Sequence, residues 1–488
     1  MGSEARHDQK IQEIKGWVSL ARPIKKQNLE RILHHPSLLK GIVIMAIPVF
    51  LNNFLKSLHD MVDAIFVARM DVGSQATLDA ALAALNIHWP VFNFFMALAA
   101  GLGIATVAMV SQYVGAGRKD LASSYASKLI TLAMIFAILV MAIFYFTSDV
   151  FLGYNLFAYL MGARGEALGF AGEYFRIRSY EFILVFIFIV YQSIRQATGE
   201  TLYPVLLNIG GIFVNIMLTW LFVSRFQMGI AGAAYATLIA HAAPMPFIIY
   251  DLFKSKHHIR ISLKEMMIDK LTLSEMGRFA IPASVGQAMS ALGFVIIQSI
   301  ILRYGDMVSA GFSVGNRISS LLLNPVVAIS TISAAFVGLN IGHAQPERAK
   351  KAYEVSRNLS FGLMVLGIAL IIPFRFPIIE LILGTNSSDS YRIAGEYTLW
   401  LLLTQPFMGL FQSYIGLFNG SGHSNYTLKI SMVRLWGMRI PMIFLSLWLL
   451  PPDDYRGIFW AMMISNAVIL FYGHYLKKGI KYELQVRL

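Results

Sequence analysis

Long apolar stretches recur along the chain, each near the ~20 residues that a membrane-spanning helix requires. They lie at 41–68, 82–110, 122–146, 168–194, 203–224, 229–252, 278–302, 308–336, 354–378, 394–417, 428–449 and 456–476. The pattern predicts an all-α membrane protein with twelve transmembrane helices. Before the first stretch, residues 8–22 place apolar side chains at helical spacing among basic ones. This pattern predicts a short helix on the membrane surface, and a disordered basic tail is an equal alternative.

Composition agrees with this pattern, because 57% of the 488 residues are hydrophobic and 14% are charged. A soluble protein averages about 45–50% apolar residues. The net charge of +13 comes largely from Lys and Arg on alternate loops, starting with the N-terminal segment. This bias predicts that both termini are cytoplasmic. The basic residues would face the anionic lipids of the cytoplasmic leaflet, so the net charge requires no nucleic-acid partner. The chain has no cysteine, which excludes disulfides and thiolate metal sites.

The two halves of the chain resemble each other. Ile47-Pro48 recurs as Ile281-Pro282, and further matched pairs are Arg69 with Arg303, Asn86 with Asn316, Gly115 with Gly342, Gly199 with Gly422, and Tyr203 with Tyr426. Six spans in each half make a parallel repeat, with two bundles side by side and a central cleft in which a solute could alternate between the faces. We therefore predict five parts: an N-terminal segment 1–40, an N-lobe 41–252, an inter-lobe loop 253–277, a C-lobe 278–478 and a tail 479–488.

The first span carries an unusual polar stripe. At about 100° per residue, six polar side chains fall within an arc of roughly 120° on this helix. They are Asn52, Asn53, Lys56, His59, Asp60 and Asp63. Ionisable groups in hydrocarbon cost at least ~2.5–3.5 kcal/mol each, so they normally face a water-filled cavity or each other. The stripe is a candidate ion or substrate pathway; the alternative is an outer cluster wetted by the interface.

Six stretches, in order and at the expected spans, resemble the multidrug and toxic compound extrusion (MATE) transporters. They are LLKGIVIMAIPVFLNNFLKSLHDMVDAIFVARM, AAGLGIATVAMVSQYVGAGRKDLA, RQATGETLYPVLLNIGGIFVNIML, GIAGAAYATLIA, RYGDMVSAGFSVGNRISSLLLNPVVAISTISAAFVGLNIGHAQPERA and LFNGSGHSNYTLKISMVRLWGMRIP. The resemblance covers about residues 38 to 478. It implies twelve helices in a V-shaped pair of six-helix lobes. It also implies export of organic cations against an inward flow of H⁺ or Na⁺.

The resemblance also implies functional residues. The family's first-helix aspartate falls on Asp63, its fifth-helix asparagine on Asn215, and a sixth-helix threonine on Thr237. One branch of the family has a second aspartate where this chain has Thr219. The C-lobe spans offer Gln287, Gln298, Glu396 and Gln405 but no cluster of membrane carboxylates. We therefore expect coupling in the N-lobe, driven by H⁺, with a Na⁺ ion at Asp63 and Asn215 as the alternative.

Further groups could act beside Asp63. Asp60, at i−3, would share a titration with Asp63 because two carboxylates this close do not both ionise at low cost; alternatively it forms a static pair with Lys56. His59 could relay protons or simply be hydrogen-bonded. Glu181 is a candidate proton site, although we favour a structural pair with Arg178. Arg434 and Arg439 lie deep in the eleventh span, where they could tether anionic groups or serve structure.

Together with the family resemblance, which implies antiport of amphiphilic organic cations, these observations predict a plasma-membrane transporter and not an enzyme. We expect a monomer without a cofactor other than the coupling ion. The alternative transport function is a lipid-linked precursor flippase of the same superfamily, which needs a cationic cleft. A membrane transferase is disfavoured because His88, His241 and His474 are isolated in the sequence.

Overall fold

The computed structural model describes residues 37–68, 75–149, 156–160, 164–254, 259–383, 388–451 and 454–487. Within helices, the side chains at 57–68, 75–79, 86, 89, 148–149, 160, 383 and 388 are not part of this description. The predicted interfacial helix at 8–22 lies outside the described residues, as do the side chains of His59, Asp60 and Asp63.

The described residues form twelve spans, which confirms the predicted all-α membrane fold. Ten helices are long and apolar enough to cross a membrane, and two bent pairs of helices complete the set. The spans are α1 (Leu38–Ala68), α2 (Gln75–Gly115), α3 (Lys119–Asp149), α4 (Glu166–Ser179 and Glu181–Ala197), α5 (Leu202–Thr219 and Trp220–Arg225), α6 (Gly229–Ala242 and Met245–Lys254), α7 (Lys270–Leu302), α8 (Asp306–Gly342), α9 (Pro346–Leu383), α10 (Ser388–Leu403 and Gln405–Gly420), α11 (Ser424–Met432, Val433–Arg439 and Ile440–Leu449) and α12 (Arg456–Lys478).

The internal repeat is visible in the irregular positions of the two halves. Helices α4 and α10 are both bent, by 45° and 47° respectively. Helices α5 and α11 both contain a widened π-helical segment. The matched residues Gly199 and Gly422 have φ of 83° and 79°, which a residue with a side chain adopts only with strain. The two six-helix lobes are therefore pseudo-symmetric in detail, while their boundaries at 252 and 278 stay predictions.

Several helices are longer than the apolar stretches that predicted them. Helix α7 begins at Lys270, eight residues before its apolar stretch, because Asp269 caps its first turn and accepts a hydrogen bond from the Thr272 N–H at 3.1 Å. Hydrogen bonds from Thr272, with Lys128 3.2 Å away, hold the pKa of the Asp269 carboxyl well below its usual range. Hydropathy alone marks the hydrocarbon part of a span and misses such capped polar turns.

The beginning of α1 and the described C-terminal tail lie on one face of the bundle, here called the terminal face, and the lobes meet there. Helices α2 and α8 approach so closely that a Cβ on Gly342 would collide with the Gln112 carbonyl and with Gly115. The Gln112 side chain donates to the Gly420 carbonyl at 3.3 Å and accepts from the Gln485 N–H of the tail at 2.9 Å. Glycine packing and one amide side chain thus join α2, α10 and the C-terminal tail.

A side chain at Gly342 should force the terminal face apart. Gly342→Leu is expected to cost about 1–3 kcal/mol of stability, because the facing element is backbone and cannot move aside. Spin labels on α3 and α9 should report a longer inter-lobe distance at this face, together with a lower thermal midpoint. Gly362→Leu on α9 is the control, since a Cβ there meets open space; equal effects of both variants would contradict the packing argument.

Candidate functional site

A cavity of about 250 Å³ lies inside the N-lobe, between α1, α2, α4, α5 and α6. We call it the N-lobe cavity. Its polar lining comprises Asn52, Asn53, Lys56, Arg178, Glu181, Gln192, Asn208, Asn215, Thr237 and His241. The apolar part of the lining includes Phe92, Met96, Val185, Phe188, Ile189 and Ile212. The structure therefore brings five of the nine candidate site residues into one chamber, namely Asn52, Lys56, Glu181, Asn215 and Thr237.

The polar stripe of α1 faces this chamber over the part of the helix that is described. Asn52 is 7% exposed and accepts a hydrogen bond from Asn208 Nδ2 at 2.6 Å, while Asn53 and Lys56 line the cavity. Asp63 follows Lys56 by two helical turns on the same face, about 10 Å further along the axis. Its side chain, like those of His59 and Asp60, lies outside the described residues, so their nominated roles stay predictions.

A chain of neutral hydrogen bonds connects α5 and α6. Asn215 Nδ2 donates to Thr237 Oγ1 at 3.1 Å, and Thr219 Oγ1 donates to Asn215 Oδ1 at 3.4 Å. All three side chains are buried, but Thr219 is not among the residues that line the cavity. Asn215 is therefore held in place by two hydroxyls, with its amide at the cavity wall.

Glu181 is the buried carboxylate of the described lining, at 1% exposure, and it follows the bend of α4. Arg178 Nη2 donates to Glu181 Oε1 at 3.1 Å, so the pair with Arg178 is confirmed. His241 Nδ1 lies 3.3 Å from the same oxygen and 3.1 Å from the Thr237 carbonyl. Because both neighbours of Nδ1 are acceptors, this nitrogen carries a proton. The Glu181 carboxylate and the His241 imidazole are therefore close enough to share a proton or to transfer it from one to the other.

His241 is a residue that sequence reasoning missed, since it was predicted to be isolated. The usable signal was its i+4 spacing from Thr237, which places both on one face of α6. No such spacing relates it to Glu181 on α4, because that contact depends on how the two helices pack. Asn208 was missed for the same reason.

A second chamber of about 500 Å³, here called the inter-lobe cleft, lies between α2, α4, α7, α8, α10 and α11. Its polar lining is Ser193, Gln196, Gln287, Ser290, Ser330, Thr331, Gln412, Asn419, Thr427, Ser431 and Arg434. Arg434 is the one charged side chain in this described lining, and no acidic residue belongs to it. Twin six-helix bundles with a cleft between them have the architecture of an alternating-access carrier.

Comparisons with known proteins agree with that class. The MatE family model matches residues 48–221 and 282–445, one segment in each lobe. A probable multidrug resistance protein of Bacillus subtilis, YoeA, is 24% identical over 450 residues, which cover 90% of this chain and 94% of that relative. An FAD transporter of Shewanella oneidensis is 25% identical over 428 residues, which cover 86% and 90%.

The fold is similar to solved structures as well. An outward-facing multidrug resistance MATE transporter of the MOP superfamily superposes with a TM-score of 0.84 at 23% identity, over 94% of this chain and 98% of that one. The chain is thus a multi-pass membrane protein of the transporter class rather than an enzyme. It belongs to the MatE family.

Removing the carboxylate at position 181 should destabilise the N-lobe. Glu181→Gln leaves the buried Arg178 charge with one counter-ion fewer, at an expected cost of about 3–5 kcal/mol. The thermal midpoint in detergent measures the loss. The double variant Arg178→Gln with Glu181→Gln should recover part of that loss, and a double variant as unstable as the sum of both singles would show that the pair is not coupled.

Proposed function

We propose that this protein is a cation-coupled secondary antiporter that exports amphiphilic organic solutes, with its coupling site in the N-lobe. The single observation that supports this proposal is the N-lobe cavity, because it collects Lys56, Glu181, Asn215, Thr237 and His241 within a membrane-embedded bundle. Ionisable groups within the membrane cost free energy, so they are usually either functional or paired with a group of opposite charge. The carboxylate and the imidazole in this lining are groups that can take up and release a proton.

In the proposed cycle, Asp63 is deprotonated while substrate occupies the transport path. Protonation from the outside removes the negative charge, and α1 then shifts around Pro48 and its polar stripe, which expels the substrate. Asp60 shares the titration of Asp63, and Asn215 and Thr237 supply neutral hydrogen bonds to the carboxyl or to a bound ion. Each step requires that proton and substrate favour different states of the protein.

We infer H⁺ as the coupling ion, with Na⁺ at Asp63 and Asn215 as the alternative. Two features support a coupling site in the N-lobe and a proton as the coupling ion. The bend of α4 carries Glu181 with its His241 partner, whereas the equivalent bend of α10 carries the neutral Gln405, which donates to Ser319 Oγ at 2.7 Å. A carboxylate beside an imidazole suits proton transfer, since both groups can accept and donate a proton.

Organic cations are the substrate class that the family resemblance implies. One of the relatives reported above, YoeA of Bacillus subtilis, is named as a probable multidrug resistance protein. A cation would bind in the N-lobe cavity near Glu181 and the predicted Asp60–Asp63 pair. We further propose that the protein acts as a monomer in the prokaryotic plasma membrane and that the terminal face is cytoplasmic. The charge bias of the loops supports this orientation.

Neutralising Asp63 should abolish coupling. In liposomes that contain the purified protein, an imposed pH gradient should drive accumulation of the fluorescent cation ethidium by the wild type. Asp63→Asn should reduce this accumulation to the level of empty vesicles, because the variant can no longer exchange a proton. A Na⁺ gradient imposed without a pH gradient distinguishes the two coupling ions.

Asp306→Asn is the matched control, since Asp306 is exposed at the start of α8. It should retain wild-type accumulation. Full gradient-driven transport by Asp63→Asn would refute the proposed coupling site. The alternative function, a lipid-linked precursor flippase, predicts that neither gradient drives ethidium accumulation in any variant.

A further inference from the structure

Arg434 occupies a position where a charge is expensive. It stands ten residues into α11 from Ser424, or about 15 Å at 1.5 Å per residue, which is half of the ~30 Å hydrocarbon core. The side chain is 5% exposed. It lies in the π-helical segment Val433–Arg439, and such widened turns are frequent at functional sites. A buried guanidinium at this depth requires a compensating partner.

The described protein does not supply an anionic partner. Arg434 Nη1 lies 3.5 Å from Met408 Sδ, and the guanidinium stacks on the Phe411 ring at 4.4 Å from its centroid. Its Nε is buried with no hydrogen-bond acceptor among the described residues. The charged neighbour that acts on it is Arg439, a second cation. Arg439 itself is satisfied, because it donates to Ser465 Oγ at 3.0 Å and to Asn466 Oδ1 at 2.5 Å.

The inter-lobe cleft has the size and lining of a binding site. Its volume of about 500 Å³ is within the range of pockets for drug-sized ligands. Amide and hydroxyl side chains, including Gln287, Gln412 and Ser431, line it together with Arg434. Phe294, Leu323, Met408 and Phe411 supply an apolar wall. A ligand that fits this lining has a polar end and an apolar body.

We propose that the inter-lobe cleft binds amphiphilic substrates through an oxyanion, a carboxylate, phosphate or sulfonate, which the Arg434 guanidinium recognises. The planar fork of arginine matches such groups with two parallel hydrogen bonds. The inference rests on the proposed transport function and adds a second substrate class to it.

The two chambers differ at one repeat-related position. Arg434 follows Gly422 by the same number of residues by which Gly211 follows Gly199, and Gly211 lines the N-lobe cavity. The repeat thus places a glycine, which has no side chain, at the chamber that contains Glu181, and a guanidinium at the chamber whose described lining has no acidic residue. In the N-lobe cavity the Glu181 carboxylate lies beside Arg178, with Lys56 in the same lining, whereas the described lining of the inter-lobe cleft offers Arg434 no carboxylate.

Equilibrium binding of a matched pair of fluorescent amphiphiles tests the proposal. The probes are dansylaminoundecanoate and its primary amide, which differ in charge and share their shape. With full-length protein in phosphatidylcholine nanodiscs at neutral pH, the wild type should bind the carboxylate at least about tenfold more tightly than the amide. Arg434→Met should remove this preference, and Arg434→Lys, which keeps the charge without the fork, should retain part of it.

Arg456→Gln is the control, because Arg456 pairs with Glu396 outside the cleft and should leave the preference unchanged. Thermal midpoints establish that each variant is folded, and Arg434→Lys keeps the test decisive if Arg434→Met does not fold. Equal binding of both probes by the wild type, or an unchanged preference in either Arg434 variant, would overturn the proposal.

Nanodiscs that contain phosphatidylglycerol distinguish the source of the oxyanion. Displacement of the carboxylate probe by this lipid would identify a lipid head group as the ligand, and undiminished binding would identify a soluble substrate; either result supports oxyanion recognition. No gradient is applied in these measurements. Failure of coupled transport in the Asp63→Asn experiment is therefore distinguishable from failure of oxyanion binding.

Discussion

The requirement that a charge within hydrocarbon has a partner shapes this molecule more than any other constraint. Near the terminal face, Arg195 donates to Asp251 Oδ2 at 2.8 Å, and the Tyr191 hydroxyl donates to the same oxygen at 2.8 Å. The N-lobe cavity contains the cluster of Arg178 with Glu181 described above. In each case the cost of desolvation is offset by close hydrogen-bonded contacts, because one partner alone would be an uncompensated buried charge.

Where the constraint is not met within the protein, a ligand is the natural candidate to meet it. Arg434 is such a case, since its neighbours in the described structure are a thioether, an aromatic ring and another cation. Arg434 and Arg439 lie on the same π-helical segment but differ in their hydrogen-bond partners. Arg439 has neutral oxygens of α12 within hydrogen-bonding distance, whereas Arg434 faces the cleft.

The helices around these groups are pseudo-symmetric, but the side chains at equivalent positions of the two lobes differ. Both lobes have a bent fourth helix and a π-helical fifth helix, so both can present side chains at a helix break within the membrane. The N-lobe uses its break for Glu181 and the C-lobe uses its own for Gln405. A duplicated framework can therefore carry different polar groups in its two lobes, while the two lobes together enclose a cleft. Close glycine contacts between α2 and α8 join them at the terminal face.

The sequence by itself determined the all-α class, the number of spans, the repeat and the polar stripe of α1, because hydropathy, periodicity and spacing are local properties of the chain. It also nominated Asn52, Asn215 and Thr237, which line one cavity. Only the tertiary structure decided that His241 lies against Glu181 and that Arg434 faces the cleft with no anionic partner among the described residues. Those contacts depend on the relative rotation of packed helices, and no spacing within a single helix encodes that rotation.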